Sequence, residues 1–246
     1  MVKIFIDFDG TITKNDVGDV LFEKFGGAIC QSYIADYRRG IISATSCFRL
    51  ESEACGEIEA SQFDEFIRKQ EIDPSVKDFF LFCEKSGFEC CIVSDGMDYY
   101  IEKILKNHGI QRVPFCANHL ELIPCGRDGM ITLSLSFPYT DEECDRCACC
   151  KRNIMLTRSA DEDFIVYVGE GYSDRCPVRY ADVVFAKDEL LRFCRQEKIP
   201  HTEYGSFSDV LRLLNVKTGG KTFTGKTRLK KRRQAQLACR DVFIGG

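Results

Sequence analysis

The sequence predicts an α/β fold, a mainly parallel sheet with helices on both faces and an all-helical insertion directly after the first strand. Two patterns predict it. Short β-branched and aromatic runs alternate with stretches of helical spacing along most of the chain, and such alternation builds parallel sheets covered by helices. Between the first run and Pro74, by contrast, some 60 residues hold no convincing strand. With 246 residues, 44% hydrophobic and 29% charged, the chain suits one large domain or two modest ones.

The elements follow in order. Strands are expected at "VKIFIDF" (2–8), "FECCIVS" (88–94), "FIVYVG" (164–169) and "DVVFA" (182–186). Helices are expected at 74–86, 97–108, 151–159 and 187–197. Val17, Val20, Leu21, Lys24 and Phe25 recur at helical spacing and open the insertion, assigned to 14–73. Residues 111–143 hold three short extended pieces, "VPFCAN", "HLELI" and "MITLSL", the last two separated by "PCGRDG", and read as a hairpin-like flap. The expected organisation is a core of 1–13 and 74–216, the insertion 14–73, and a tail 217–246.

Charge and cysteine content bound the function. No apolar run reaches the ~18 residues that span a bilayer, and the N-terminus lacks the pattern of a secretory leader; a cytoplasmic protein is expected. Many of the fifteen cysteines sit in apolar runs such as "FECCIV", and most read as reduced, buried small hydrophobes. Residues 217–246 carry nine Lys or Arg against one Asp within a chain of net charge -4. Their Gly- and Thr-rich, apolar-poor composition reads as a solvated extension rather than a nucleic-acid arm.

The first run ends in "DFDGT", which places Asp7 and Asp9 two positions apart with Gly10 and Thr11 behind them. As a bare pattern it is common turn chemistry. Its place, beyond the carboxyl end of a strand in an open α/β sheet, is where ligands collect.

Here the sequence resembles the haloacid dehalogenase superfamily of phosphatases, whose first motif this is. The resemblance implies a Rossmann-like core and three further motifs, all found in order. Ser94 in "CIVSDG", with Asp95 and Gly96, would bind a phosphoryl oxygen. Lys151 in "CCKRNIM" would offset phosphate charge. Glu170 and Asp174 in "YVGEGYSD" would complete a Mg2+ site with Asp7 and Asp9, since hard cations take oxygen ligands. Glu170 departs from the family, where Asp is usual.

The insertion after the first motif resembles the small helical cap of the phosphoserine phosphatase-like branch. "CDRCACCKRN", "YSDRCP" and "DVVFAKDELLRFC" resemble the methionine-salvage enol phosphatases, and also their relatives acting on phosphocholine and phosphoethanolamine. The resemblance implies Asp7 as nucleophile, Asp9 as general acid and base, and a small phosphorylated metabolite as substrate; from the composition, no membrane partner is expected and a nucleic-acid partner is disfavoured. A non-catalytic metal or phosphate binder is the alternative of another class. Cys144, Cys147, Cys149 and Cys150 include a C-x-x-C that chelates Zn2+ if further thiolates converge.

Overall fold

The computed structural model describes residues 1–218 apart from 127, 143 and 145, with side chains as far as 214. Nearly all of the expected tail, 219–246, lies outside the described residues. The fold is α/β, with strands largely parallel and a helical insertion after the first strand.

The chain forms two compact units. The first comprises residues 1–7, 73–92 and 151 onward; the second comprises 8–72 and 93–150. In the first, β1 (Val2–Ile6) lies between the start of β3 (Glu89–Met97) and β6 (Phe164–Gly169), with β7 (Val183–Ala186) and the two-residue β8 (Thr202–Glu203) beyond, all parallel. Ile4, Ile6, Ile165, Val166 and Val168 are fully buried, as a strand covered on both faces requires. The helices of this unit are α5 (Val76–Lys85), α7 (Lys151–Thr157), α8 (Asp188–Gln196) and α9 (Phe207–Thr218). The Phe79 and Phe207 rings, 5.1 Å apart, join α5 to α9, and the Phe207 amide donates to Asp73.

The second unit holds α1 (Val17–Gly26), α2 (Ile29–Arg38), α3 (Ala44–Cys55), β2 (Ile58–Glu59), α4 (Ala60–Arg68), α6 (Asp98–Asn107), and the strands β4 (Phe115–Pro124) and β5 (Met130–Ser136). Asp16 and Ser43 start α1 and α3 by accepting the amides of Asp19 and Ser46. β4 and β5 pair antiparallel, the expected flap. Unforeseen is β2, which pairs Ile58 with Ile131 of β5 inside the insertion expected to be all helix; two residues are too few to show a period. α3 buries Glu51 beside Cys47, whose thiol bonds to it, and Ser52, whose hydroxyl donates to the Leu133 carbonyl.

Boundaries moved by a few residues. β1 stops at Ile6 because the Phe8 carbonyl gathers the amides of Thr11, Ile12 and Thr13, coiling the chain into a turn. β3 runs three residues beyond the expected 94, through Asp95, Gly96 and Met97. "VPFCAN" and "HLELI" fuse into one strand from Phe115.

Candidate active site

In the first unit, the parallel pairing of β1 with β6 sets Ile6 opposite Val168, and the Asp7 amide donates to the Val168 carbonyl at 2.9 Å. The two strands therefore deliver Asp7 and the 169–174 loop to the same edge. Lys151, the first residue of α7 and only 1% exposed, sits between two carboxylates. Its Nζ donates to Asp7 Oδ1 at 2.7 Å, to Asp174 Oδ1 at 2.8 Å and to Ser173 Oγ at 2.8 Å. An ammonium so buried needs such partners, because desolvation otherwise drives off its proton.

Asp174, fully buried, uses both oxygens. Oδ1 also accepts the Tyr167 hydroxyl at 2.5 Å, and Oδ2 accepts the amides of Glu170 and Gly171 at 2.9 and 3.0 Å. A β-carbon on residue 169 would stand 2.4 Å from Asp174 Oδ2, so glycine is required there. Burial, then the Asp174 charge, push the Tyr167 hydroxyl well above its ordinary range, so it remains a donor.

In the second unit, the donors that hold Asp9 include Tyr100, Ser94 and the Val17 amide. Tyr100 Oη reaches both carboxylate oxygens at 3.1 and 3.0 Å, Ser94 Oγ donates to Oδ2 at 3.0 Å, and the Val17 amide to Oδ1 at 3.2 Å. The Gly96 amide in turn donates to Ser94 Oγ at 2.8 Å. Gly96 is the second required glycine, since a β-carbon would meet Tyr100 Oη at 2.0 Å and Asp9 Oδ2 at 2.2 Å. Burial, and then Asp9, raise the Tyr100 hydroxyl far above its usual value. Asp95 is turned elsewhere, its Oδ1 accepting the Cys149 amide at 2.6 Å.

Of the expected residues, Asp7, Lys151 and Asp174 thus converge in one unit, and Asp9, Ser94 and Gly96 in the other. Sequence reasoning missed Ser173, Tyr167 and Tyr100. Tyr100 falls on the buried face of α6 with Ile101 and Ile104, where an aromatic reads as core; only its nearness to "SDG" hinted at more.

The donor chemistry bears on the metal. Two buried carboxylates share one ammonium, and Glu170 follows β6 directly, so the first unit offers an excess of carboxylate oxygen suited to a hard cation. Mg2+ commonly takes one or two carboxylates and keeps its waters, so a carboxylate such as Asp7 suits it by its chemistry. Zinc on Cys144, Cys147, Cys149 and Cys150 is not supported. Among the described residues no three His, Cys, Asp or Glu side chains gather to hold a metal. Cys149 and Cys150 are buried in the packing instead, the Cys149 thiol 3.9 Å from the Cys116 carbonyl. Among those residues no helix is long and apolar enough to cross a membrane.

Comparison with known proteins agrees with the fold. A haloacid dehalogenase family hydrolase from Salmonella enterica superposes with a TM-score of 0.66 at 16% identity, covering 89% of this chain and 72% of that one. A phosphoserine phosphatase solved as a phospho-aspartyl intermediate analogue gives 0.64 at 18% identity, over 86% and 98% of the two chains. A protein of Exiguobacterium sibiricum named 2-hydroxy-3-keto-5-methylthiopentenyl-1-phosphate phosphatase is 28% identical over 218 residues, 85% of this chain and 94% of its own. One of the same name from Bacillus mycoides is 28% identical over 232 residues, 88% and 99% of the two. The fold, these relatives and the order of the motifs define a phosphatase of the haloacid dehalogenase superfamily. Within it the chain belongs to the family described as "Putative Phosphatase", which it matches over residues 2–199.

Proposed function

We propose that the chain is a Mg2+-dependent phosphomonoesterase for a small metabolite, working through an aspartyl-phosphate on Asp7, with 2-hydroxy-3-keto-5-methylthiopentenyl-1-phosphate as the favoured substrate. The observation that carries the chemistry is the buried Asp7–Lys151–Asp174 ion cluster. The names of the relatives at 28% identity support the substrate.

Asp7 attacks phosphorus in line, its carboxylate oriented by Lys151. Lys151 also lowers the repulsion between that carboxylate and an incoming phosphate dianion. Asp174 is the holder of Lys151 and of the 169–174 loop, since its four bonds leave it better suited to positioning than to metal binding. Mg2+ held by Asp7 and Glu170 would supply further neutralisation of the phosphoryl charge.

Asp9 lies two residues from Asp7, so the chain alone keeps their Cα atoms within ~7 Å. It protonates the leaving oxygen and then takes a proton from the attacking water. Tyr100, Ser94 and the Val17 amide aim its carboxylate. Ser94 also has the hydroxyl that a phosphoryl oxygen would engage on binding.

A phosphate-release screen over phosphorylated metabolites with Mg2+ tests the reading. The enol phosphate is expected to give the highest kcat/KM. Preference for phosphocholine, phosphoethanolamine or phosphoserine would overturn the substrate alone; no release from any phosphomonoester would overturn the enzyme.

A further inference from the structure

Ser94, Asp95 and Gly96 lie near the end of β3, where successive residues face opposite sides of the sheet. Ser94 and Gly96 both stand against Asp9. Asp95 accordingly faces away from it. There Oδ1 accepts the backbone N–H of Cys149 at 2.6 Å, and the Asp95 carbonyl accepts Asn118 Nδ2, also at 2.6 Å.

Cys149 stands two residues before Lys151, in a segment tied at successive positions. Ala148 and Cys149 are fully buried, the Cys149 thiol faces the Cys116 carbonyl, and the Cys150 amide donates to the Tyr139 carbonyl at 2.7 Å. Asn118 is itself fully buried, and its Oδ1 meets no hydrogen-bond partner among the described residues. An unpaired buried amide oxygen is unfavourable, so an apolar residue of like size would be the more stable choice if packing were the only demand. What Asn118 supplies is the donor.

We propose that Asp95 and Asn118 are positioning residues for the phosphatase reaction: Asn118 fixes the Asp95 backbone, Asp95 fixes the Cys149 amide, and that tie sets the segment from which Lys151 extends. The inference rests on the reading of Lys151 as the cation beside the nucleophile. It makes Asp95 a tie between β3 and the chain entering α7, in place of the substrate contact expected from its position next to Ser94. Lys151 must reach three acceptors within a few tenths of an ångström, and a displacement near 1 Å is enough to lower a rate by ~100-fold.

The test is steady-state kinetics on p-nitrophenyl phosphate with Mg2+, paired with melting curves. Asp95→Ala is expected to lower kcat by ~30-fold or more, with KM within ~3-fold. Asp95→Asn, whose side-chain oxygen still accepts the Cys149 N–H, should recover to within ~5-fold of wild type. Asn118→Leu should lower kcat while Tm holds or rises, a combination that damage to the fold would not give. In a Lys151→Ala background, Asp95→Ala should add less than ~2-fold, because both changes act through one ammonium.

The inference is overturned if Asp95→Asn is as poor as Asp95→Ala and the loss lies in KM, which is the behaviour of a substrate-binding carboxylate. It is equally overturned if the two losses multiply in the double variant, or if Asp95→Ala keeps the wild-type kcat. Absence of phosphate release from the wild-type protein would instead strike the phosphatase reading itself.

Discussion

Glu51 is a carboxylic acid inside α3, 3% exposed, with Cys47 one turn earlier donating its thiol. Burial first, then the negative charges of Asp19 and Asp16, push its pKa from 4.5 to about 8. The folded protein therefore holds a proton that the unfolded chain releases above pH 4.5. Stability tied to that proton is complete below the unfolded value and is lost as pH rises through the folded one. At about 1.4 kcal/mol per pH unit, the loss is ~1.4 kcal/mol at pH 5.5 and reaches ~4.6 kcal/mol by pH 8.5, a difference of ~3 kcal/mol. Glu51→Gln removes the titration and keeps the shape. Whatever fixed cost the extra N–H group brings cancels when the same variant is compared at two pH values. Calorimetry at pH 5.5 and 8.5 should show the Tm of the variant relative to wild type rising by about 6–12 °C between them, at 2–4 °C per kcal/mol for a chain of this size. Parallel Tm profiles for the two proteins across that range would refute the reasoning.

Asp7→Asn should abolish both phosphoryl-enzyme and product, whereas Asp9→Asn on p-nitrophenyl phosphate should give a burst of about one nitrophenolate per site followed by slow turnover. The reverse pattern, read by stopped-flow absorbance, would mean the two carboxylates have exchanged roles. Tyr100 and Tyr167 are held far above the ordinary phenol range, so two of the nine tyrosines should stay protonated in the folded protein at pH 11. Ultraviolet difference titration should show them ionising only on unfolding, and stability declining as pH rises above about 10, where the unfolded chain sheds those protons first. Gly169→Ala should cost stability by ~1–3 kcal/mol, because its β-carbon displaces the Asp174 carboxylate from its donors, and kcat should fall with it. A variant with wild-type Tm and kcat would show that the loop yields without consequence.

Much of the architecture was legible because it rests on short-range pattern. The β-branched runs at 2–6, 164–169 and 183–186 became strands within a few residues of expectation, and the spacing Val17, Leu21, Phe25 announced α1. β2 and β8, two residues each, carry no period of their own and exist only through pairing with β5 and β7. The chemistry divided in the same way. Asp7 and Lys151 were named from order along the chain, and the structure joins them across 144 positions. That Asp174 would use both oxygens on local donors, or that Asp95 would face away from Ser94, depends on where side chains point after a turn; residue identity alone holds no trace of it. Tyr100 and Asn118 were invisible for a related reason. Each looks like ordinary packing until the atom at its tip is seen to meet a partner.

The interior thiols give the molecule a set of built-in reporters. Nine of the described cysteines are buried, among them Cys30, Cys47 and Cys55 in one unit and Cys83 and Cys194 in the other. Burial pushes Cys55 up to about 12 and Cys194 to about 11, so they are doubly shielded from electrophiles, by exclusion and by scarcity of the thiolate that reacts. Alkylation at these positions must then wait for the chain to open locally. Peptide-resolved labelling over time would separate the breathing of the inserted helices from that of the strands around β6. Each unit thus records its own excursions from the native state in a covalent mark, without any probe having to be engineered.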